Sequence, residues 1–463
     1  MINEEIIQAS LERSEDWGKD PLHVREILAK AKTLTGLNAE EVACLSAVTD
    51  KDLLAELFQI AAEIKEAIYG KRIVIFAPLY ISNFCSNSCL YCAFRADNKE
   101  LRRRALTQEE IVKETEALIQ EGQKRVLLVA GETHDAQSLD YILQSIETIY
   151  ATGNERDAIR RININIAPQT TTDFKRLHDA KIGTYQLFQE TYHRKTYKEI
   201  HVAGKKADYD WRLTAIDRAM QAGIDDVGLG ILFGLADWRF EILALMQHIQ
   251  YLEQKFGVGP HTLSVPRLEP ALGSSVSSNP PFPVSDQDFS KIIAILRLAV
   301  PYTGIILSTR ETAELRRNAL AIGISQISAG SRTDPGGYAA EKEKNSAFQA
   351  GQFSLGDHRS LDEVVRDLVT LGYLPSFCTA CYRQGRTGED FMALAKCGRI
   401  KNLCDPNALF TFQEYLLHYA KKETRELGEK LIEQKVADMP YAQKEIVTKI
   451  LKEIQAGRLD SYL

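Results

Sequence analysis

The chain lacks the features that would direct it to a membrane, to the cell exterior or to a nucleic acid. No apolar run approaches the ~20 residues of a membrane span; stretches such as Val126–Gly131 and Gly228–Ala236 are far shorter. There is no basic excess, since 57 Lys and Arg stand against 63 Asp and Glu, a net charge of −6, which speaks against a polyanionic partner. The start, Met1-Ile-Asn-Glu-Glu5, lacks the basic-then-apolar pattern of a secretory signal. No repeat or low-complexity tract is present. Cysteine is scarce as well: eight in 463 residues are too few for a disulfide scaffold. With 44% apolar and 26% charged residues, wholesale disorder and collagen-like repetition are also excluded. The expectation is a soluble, cytoplasmic protein with reduced thiols, binding neither nucleic acid nor membrane.

What is present falls into three regions, in line with the length. Residues 1–70 read as helices, with Asp20-Pro21 opening one and apolar residues recurring at three- and four-residue steps through Ala39–Leu45 and Lys51–Tyr69. From 71 to 335, short β-rich runs alternate with amphipathic helices: Arg72–Phe76, Arg125–Ala130, Arg161–Ile166, Gly183–Leu187, Asp226–Ile231, Thr262–Val265, Gly304–Ser308 and Gly323–Ser328. Thr107-Gln-Glu-Glu110 is a capping-box start for one of those helices. Continuous apolar strands alternating with helices imply a parallel sheet buried on both faces. Eight of them suggest an α/β fold of the TIM type, a closed (β/α)8 barrel with its site at the strand C-terminal ends, over a doubly wound open sheet. Residues 336–463 form a third region. It begins with a linker or long loop through Pro335–Tyr338 and Glu341–Gly356, and reads as helical from Ser360 onward.

Seven of the eight cysteines fall in two clusters. Cys85-Ser-Asn-Ser-Cys89-Leu-Tyr-Cys92 has the spacing C-x3-C-x2-C and follows the first strand by a few residues. Three close thiolates suit an iron–sulfur cube. A structural zinc site wants four ligands, whereas three on a four-iron cluster leave one iron open. A zinc site completed by a distant histidine is the alternative. The cysteine spacing, with Tyr91 in its aromatic position, resembles the signature of radical S-adenosylmethionine (SAM) enzymes. That resemblance implies a [4Fe–4S] cluster on Cys85, Cys89 and Cys92 whose open iron chelates SAM and cleaves it to a 5′-deoxyadenosyl radical, a case of cofactors carrying the hard chemistry. It also implies that Gly131 and Glu132 after the second strand hold the SAM amino group. Glu190 after the fourth would contact the ribose or amino group, and Arg212 would pair with the SAM carboxylate through two parallel bonds, as in biotin-synthase-like members.

The second cluster, Cys378-Thr-Ala-Cys381 with Cys404, reads C-x2-C-x22-C, with Cys397 in between. Taken with all four cysteines the spacing is that of a zinc ribbon. The surrounding Cys378–Gly388 and Cys404-Asp-Pro-Asn-Ala408 resemble the C-terminal motif of the radical SAM tyrosine lyases that mature [FeFe]-hydrogenase, and the resemblance covers essentially the whole chain. It implies a second [4Fe–4S] cluster on Cys378, Cys381 and Cys404, with Cys397 a bystander. An additional iron would be carried there with His261 as a ligand; without that context His261 is an ordinary hydrogen-bonded residue at a strand edge. The implied reaction splits the Cα–Cβ bond of L-tyrosine into p-cresol and dehydroglycine, then converts the latter to CO and cyanide. Arg332 after the eighth strand resembles the arginine that binds the substrate carboxylate, and Arg310 after the seventh is the second choice; a barrel-rim ion pair is the plain alternative for either. A ferredoxin or flavodoxin as electron donor and other hydrogenase maturation proteins are the implied partners. Three rival readings stand beside this one: 2-iminoacetate synthase of thiamine biosynthesis, which makes the same first cleavage without the second cysteine region, a non-catalytic iron–sulfur carrier, and a zinc-binding structural protein.

Overall fold

A computed structural model describes residues 1–133, 136–342 and 351–463. Eight parallel strands close into a barrel: β1 (Arg72–Ser82), β2 (Arg125–Ala130), β3 (Arg161–Asn165), β4 (Tyr185–Glu190), β5 (Val227–Ile231), β6 (Thr262–Ser264), β7 (Gly304–Leu307) and β8 (Gln326–Ser328). Each strand pairs with the next, and β1 closes the ring by pairing β8 through Val74–Phe76 and β2 through Ala77–Ser82. The strands are buried almost throughout because helices cover their outer faces, which is why β1, β2, β5 and β7 read as apolar runs, while Asn165, Gln186, Ser264 and Gln326 on the others line the cavities. Two differ from the sequence expectation. β1 runs on to Ser82, since its second half serves β2, and β4 ends at Glu190 through a register shift against β5 between Phe188 and Glu190.

The N-terminal helices are part of the barrel's outer layer. The helix Lys51–Tyr69 begins on an Asp50 cap and packs its apolar face on the barrel helices Asp286–Ala299 and Ala313–Ile322. Lys291 Nζ binds the carbonyls of Ser46 and Val48 at 2.8 Å each, locking the two layers together. The capping box at Thr107 and Glu110 is formed.

The C-terminal region is mainly helical, but it contains a ninth strand where only helices were expected. β9 (Leu374–Ser376) adds to the start of β1, pairing Arg72–Val74 in parallel. It lies on the edge of β1 that β2 occupies further up, so it fills the barrel wall at the N-terminal end and delivers Cys378 to that opening. Of the stretch expected as a linker, residues 343–350 lie outside the described residues, and Gly337–Lys342 is helical. Among the described residues no helix is long and apolar enough to cross a membrane.

Candidate functional site

Two cavities occupy opposite ends of the barrel, and each holds one cysteine triplet. The first opens at the C-terminal ends of the strands and encloses about 1390 Å³, mouth included. Cys85, Cys89 and Cys92 all line it, on a loop pressed between two glycine contacts. A Cβ on Gly131 would lie 2.1 Å from Phe84 O, and one on Gly204, at φ +92°, would lie 2.3 Å from Asn87 Oδ1. Both positions admit only glycine where the backbone passes the cysteine loop.

Four charges, those of Glu190, Lys206 and Arg212 buried and that of Glu132 half-buried, meet beside the thiols. Arg212 donates from Nη1 to Glu132 Oε1 at 2.9 Å and from Nε to Phe188 O at 2.7 Å. Lys206 Nζ lies 2.7 Å from Glu190 and 3.5 Å from Glu132. Two carboxylates balance two cations, so a zwitterionic amino acid moiety can exchange partners with them without leaving a buried charge unpaired. Around this quartet the wall is apolar, with Phe76, Leu127, Val129, Phe188, Leu232 and Ile306 facing inward. Burial pushes the thiols up, Cys92 to about 11, so a metal has to displace their protons on binding. Tyr91 is buried on the cavity wall, with its hydroxyl 3.0 Å from His201 Nε2. The other ring nitrogen of His201 faces Tyr197 O at 2.9 Å, which makes Nε2 the acceptor.

The second cavity lies under the strands' N-terminal ends. Cys378, Cys381, Cys404 and His261 line it together, with Arg72, Arg125 and Arg386. β9 brings in Cys378 and Cys381, and the first turn of the helix Lys401–His418 brings in Cys404. Pro406 inside that helix cannot bond the carbonyl of Asn402, which instead accepts from Gln443 Nε2 at 2.9 Å. The hydrogen bond between Cys381 and Cys404 lowers Cys381 to about 7, with Arg386 helping, and raises Cys404. Burial lowers His261, so its imidazole is neutral and free to bind metal. Arg72 Nε, Arg125 Nε, His261 Nδ1 and Thr379 Oγ1 are buried there with no hydrogen-bond partner, as befits a cavity built around a polar occupant. Among the described residues no three His, Cys, Asp or Glu converge on the point a single ion would take. The donor set therefore fits a larger thiolate-bound cluster better than a zinc ion.

The cavities follow one another along the barrel axis. On β1, Arg72 and Val74 face the second and Phe76, Pro78 and Tyr80 the first; on β8, Gln326 faces the second and Ser328 the first. The layer between is polar and thinned by glycine: Gln186 and Thr262 meet at 3.4 Å, and a Cβ on Gly228 would strike Thr262 Oγ1 at 2.5 Å. A TIM barrel ordinarily fills this layer with branched apolar side chains.

Residues 79–246 match the radical SAM superfamily, and residues 264–374 match the Biotin and Thiamin Synthesis associated domain. The chain is 30% identical over 368 residues to 2-iminoacetate synthase of Escherichia coli (strain K12), covering 78% of this chain and 94% of that relative. The crystal structure of HydG, a maturase of the [FeFe]-hydrogenase, superposes with a TM-score of 0.95 at 50% identity, covering 100% of this chain and 99% of that one. The chain belongs to the HydG family of radical SAM tyrosine lyases. HydG from Carboxydothermus hydrogenoformans matches at 44% identity and a TM-score of 0.84, over 97% of this chain and 98% of that one. Radical SAM membership implies SAM and a [4Fe–4S] cluster.

Against this HydG-type frame, the expected residues distribute as follows. Cys85, Cys89, Cys92, Tyr91, Gly131, Glu132, Glu190, Arg212 and Arg310 all line the first cavity. Arg332 does not; its backbone N–H donates to Tyr338 and its guanidinium to Ser331 O. The guanidinium of Arg310 stacks 3.3 Å from the ring centre of Phe353 and makes no hydrogen bond among the described residues. Cys397 is exposed and away from both cavities, bonded to Ala393 O and Arg399 Nε. Sequence reading missed Lys206, Asn87, Tyr80, Gln352 and Phe353. Gln352 accepts from the Tyr80 hydroxyl at 2.8 Å and points Nε2 at Cys92 Sγ, 3.8 Å away.

Proposed function

We propose that this chain cleaves the Cα–Cβ bond of L-tyrosine to p-cresol and dehydroglycine in the first cavity and releases CO and cyanide from the two-carbon fragment in the second. The observation that carries the reading is the pairing of a cysteine triplet and charge quartet at one barrel end with a second triplet plus His261 at the other. Cys85, Cys89 and Cys92 would hold a [4Fe–4S] cluster. With SAM bound, that site supplies a carbon radical able to take a hydrogen atom from the substrate.

The chain's own residues do the rest. Glu132 and Glu190 receive the ammonium of SAM, and Arg212 with Lys206 its carboxylate. Arg310 offers the substrate carboxylate a guanidinium that has no hydrogen bond among the described residues, held flat by Phe353. The apolar walls keep water from the reacting carbon. The polar layer around Gln186, Thr262 and Gln326 gives a small polar fragment a route down the axis. Cys378, Cys381 and Cys404 would hold the second cluster, and His261 an additional iron there.

Such an enzyme works in the cytoplasm with a ferredoxin or flavodoxin as electron donor and hands its product to other hydrogenase maturation proteins. The test is anaerobic incubation of the iron-loaded chain with dithionite, SAM and L-tyrosine, assaying 5′-deoxyadenosine, p-cresol, CO and cyanide together. All four are expected. p-Cresol without CO or cyanide at full iron loading would replace this reading with the 2-iminoacetate synthase type; no 5′-deoxyadenosine would leave a carrier.

A further inference from the structure

Glu190 is the least relaxed residue of the first cavity. It sits at φ +70°, the one non-glycine residue at positive φ that ends a strand among those described. The register shift against β5 turns it inward, and its carbonyl accepts from Leu232 N at 2.9 Å. A side chain in left-handed backbone is held there only if its neighbours leave no alternative. Lys206 grips the carboxylate, but that contact fixes the side chain and not the turn.

The turn is fixed from behind by one carboxylate. Glu241, 1% exposed on the helix Trp238–Phe256, accepts the Thr191 hydroxyl on Oε1 and the Tyr192 N–H on Oε2 at 2.8 Å. His193 N–H in turn donates to Thr191 Oγ1 at 3.2 Å. Two turns along the same helix, His248 meets the Tyr192 hydroxyl at 2.9 Å, and Tyr209 donates to Tyr192 O at 2.7 Å. Glu241 lines neither main cavity and forms no ion pair with a cation among the described residues. Burying a lone carboxylate is costly, and burial pushes this one up to about 7. Both its oxygens are spent on the two residues that follow Glu190.

We infer that Glu241 is a positioning residue for the SAM site: it clamps Thr191 and Tyr192 so that Glu190 keeps its left-handed backbone and presents its carboxylate to the cavity. This rests on reading the first cavity as the SAM site. The test uses the full-length chain with iron loaded, measuring SAM affinity by equilibrium dialysis and by the change SAM causes in the EPR spectrum of the reduced cluster. Glu241→Ala should raise the Kd for SAM about tenfold, as losing an orienting outer partner does elsewhere. Glu241→Gln, which keeps one acceptor, should recover part of that loss, and the KM for L-tyrosine at saturating SAM should stay within about twofold. In a Glu190→Ala background, Glu241→Ala should add less than about twofold. Wild-type SAM affinity in Glu241→Ala, or the same loss with and without Glu190, overturns the inference. If the alanine variant does not fold, Glu241→Gln alone and combined with Glu190→Ala carries the same cycle. A wild-type chain with no SAM-induced spectral change would instead overturn the reading of the cavity beneath it.

Discussion

The two cavities use the same three-thiol arrangement on opposite electrostatic grounds. In the first, Glu132 and Glu190 stand against Lys206 and Arg212 as a balanced quartet, with Arg95, Arg310 and Glu269 elsewhere on the wall. In the second, Arg72, Arg125 and Arg386 line the wall with His261, and the buried carboxylate of Asp226 stands 3.8 Å from His261 Nδ1. Burial raises the thiols of the first cavity and Cys378 of the second, while the hydrogen bond between Cys381 and Cys404 lowers Cys381 to about 7 and raises Cys404. A balanced quartet recognises a ligand carrying both signs. A cationic wall retains thiolates, an anionic cluster and small anions, whose charge it offsets inside a low-dielectric space. One barrel thus presents a charge-balanced quartet at one end and a cluster of arginines at the other, with a polar, glycine-thinned layer between them.

That contrast breaks most visibly if the second triplet is removed. Cys378, Cys381 and Cys404 changed together to alanine should abolish CO and cyanide and lower iron from about nine to about four per chain, the content of one four-iron cluster, since the additional iron goes with the second cluster. p-Cresol formation should stay within about threefold of wild type, and its loss as well would mean that the two ends are not separable. A smaller effect sharpens the first cavity alone. Arg310→Ala should raise the KM for L-tyrosine by about 10–100-fold, the scale of a lost charge-assisted hydrogen bond. Arg332→Ala, outside the cavity wall, should stay within about twofold by the same steady-state assay. The reverse ranking would move the carboxylate site.

Much of this was legible in the residue pattern, for identifiable reasons. Most of the barrel strands are buried on both faces and carry short apolar runs, and the helix at Thr107 announces itself through a cap that depends on local chemistry alone. The cysteine triplets are local as well. What escaped depends on distant partners. β9 is three residues long and includes Pro375; only the free edge at the start of β1 makes it a strand. Lys205 and Lys206 are adjacent and alike, yet one is exposed over Trp211 and the other buried between two carboxylates. Gln352 and Phe353 lie within the polar stretch that reads as a linker or long loop, and nothing local says that the chain returns there to the cysteine loop. Arg310 and Arg332 each follow a strand, and only the geometry of the two loops separates their directions.

Gly131→Ala tests whether close backbone approach holds the first triplet in place. The added methyl would lie 2.1 Å from Phe84 O, so the cysteine loop has to shift. Overpacking of this kind costs about 1–3 kcal/mol. A lower melting temperature, with weaker SAM binding and intact CO release from supplied fragment, is expected from calorimetry and binding assays. Unchanged stability and affinity would show the loop to be looser than its contacts imply.

The smallest effect belongs to Cys397, and its smallness decides between a cluster and a zinc ribbon at the second site. A four-cysteine ribbon requires its thiolate beside the other three. Its Sγ instead lies 3.1 Å from Ala393 O and 3.2 Å from Arg399 Nε on an exposed helix end, and Arg399 holds its pKa below the usual thiol range. The same arginine makes it the thiol most open to alkylation, with no share in the cavity. Cys397→Ser should therefore leave iron content, CO yield and melting temperature unchanged, while removing the fastest-reacting thiol in an alkylation time course. Loss of bound metal on this substitution alone, measured by elemental analysis, would place a fourth ligand on the second site and close the corner that the proposed chemistry needs open.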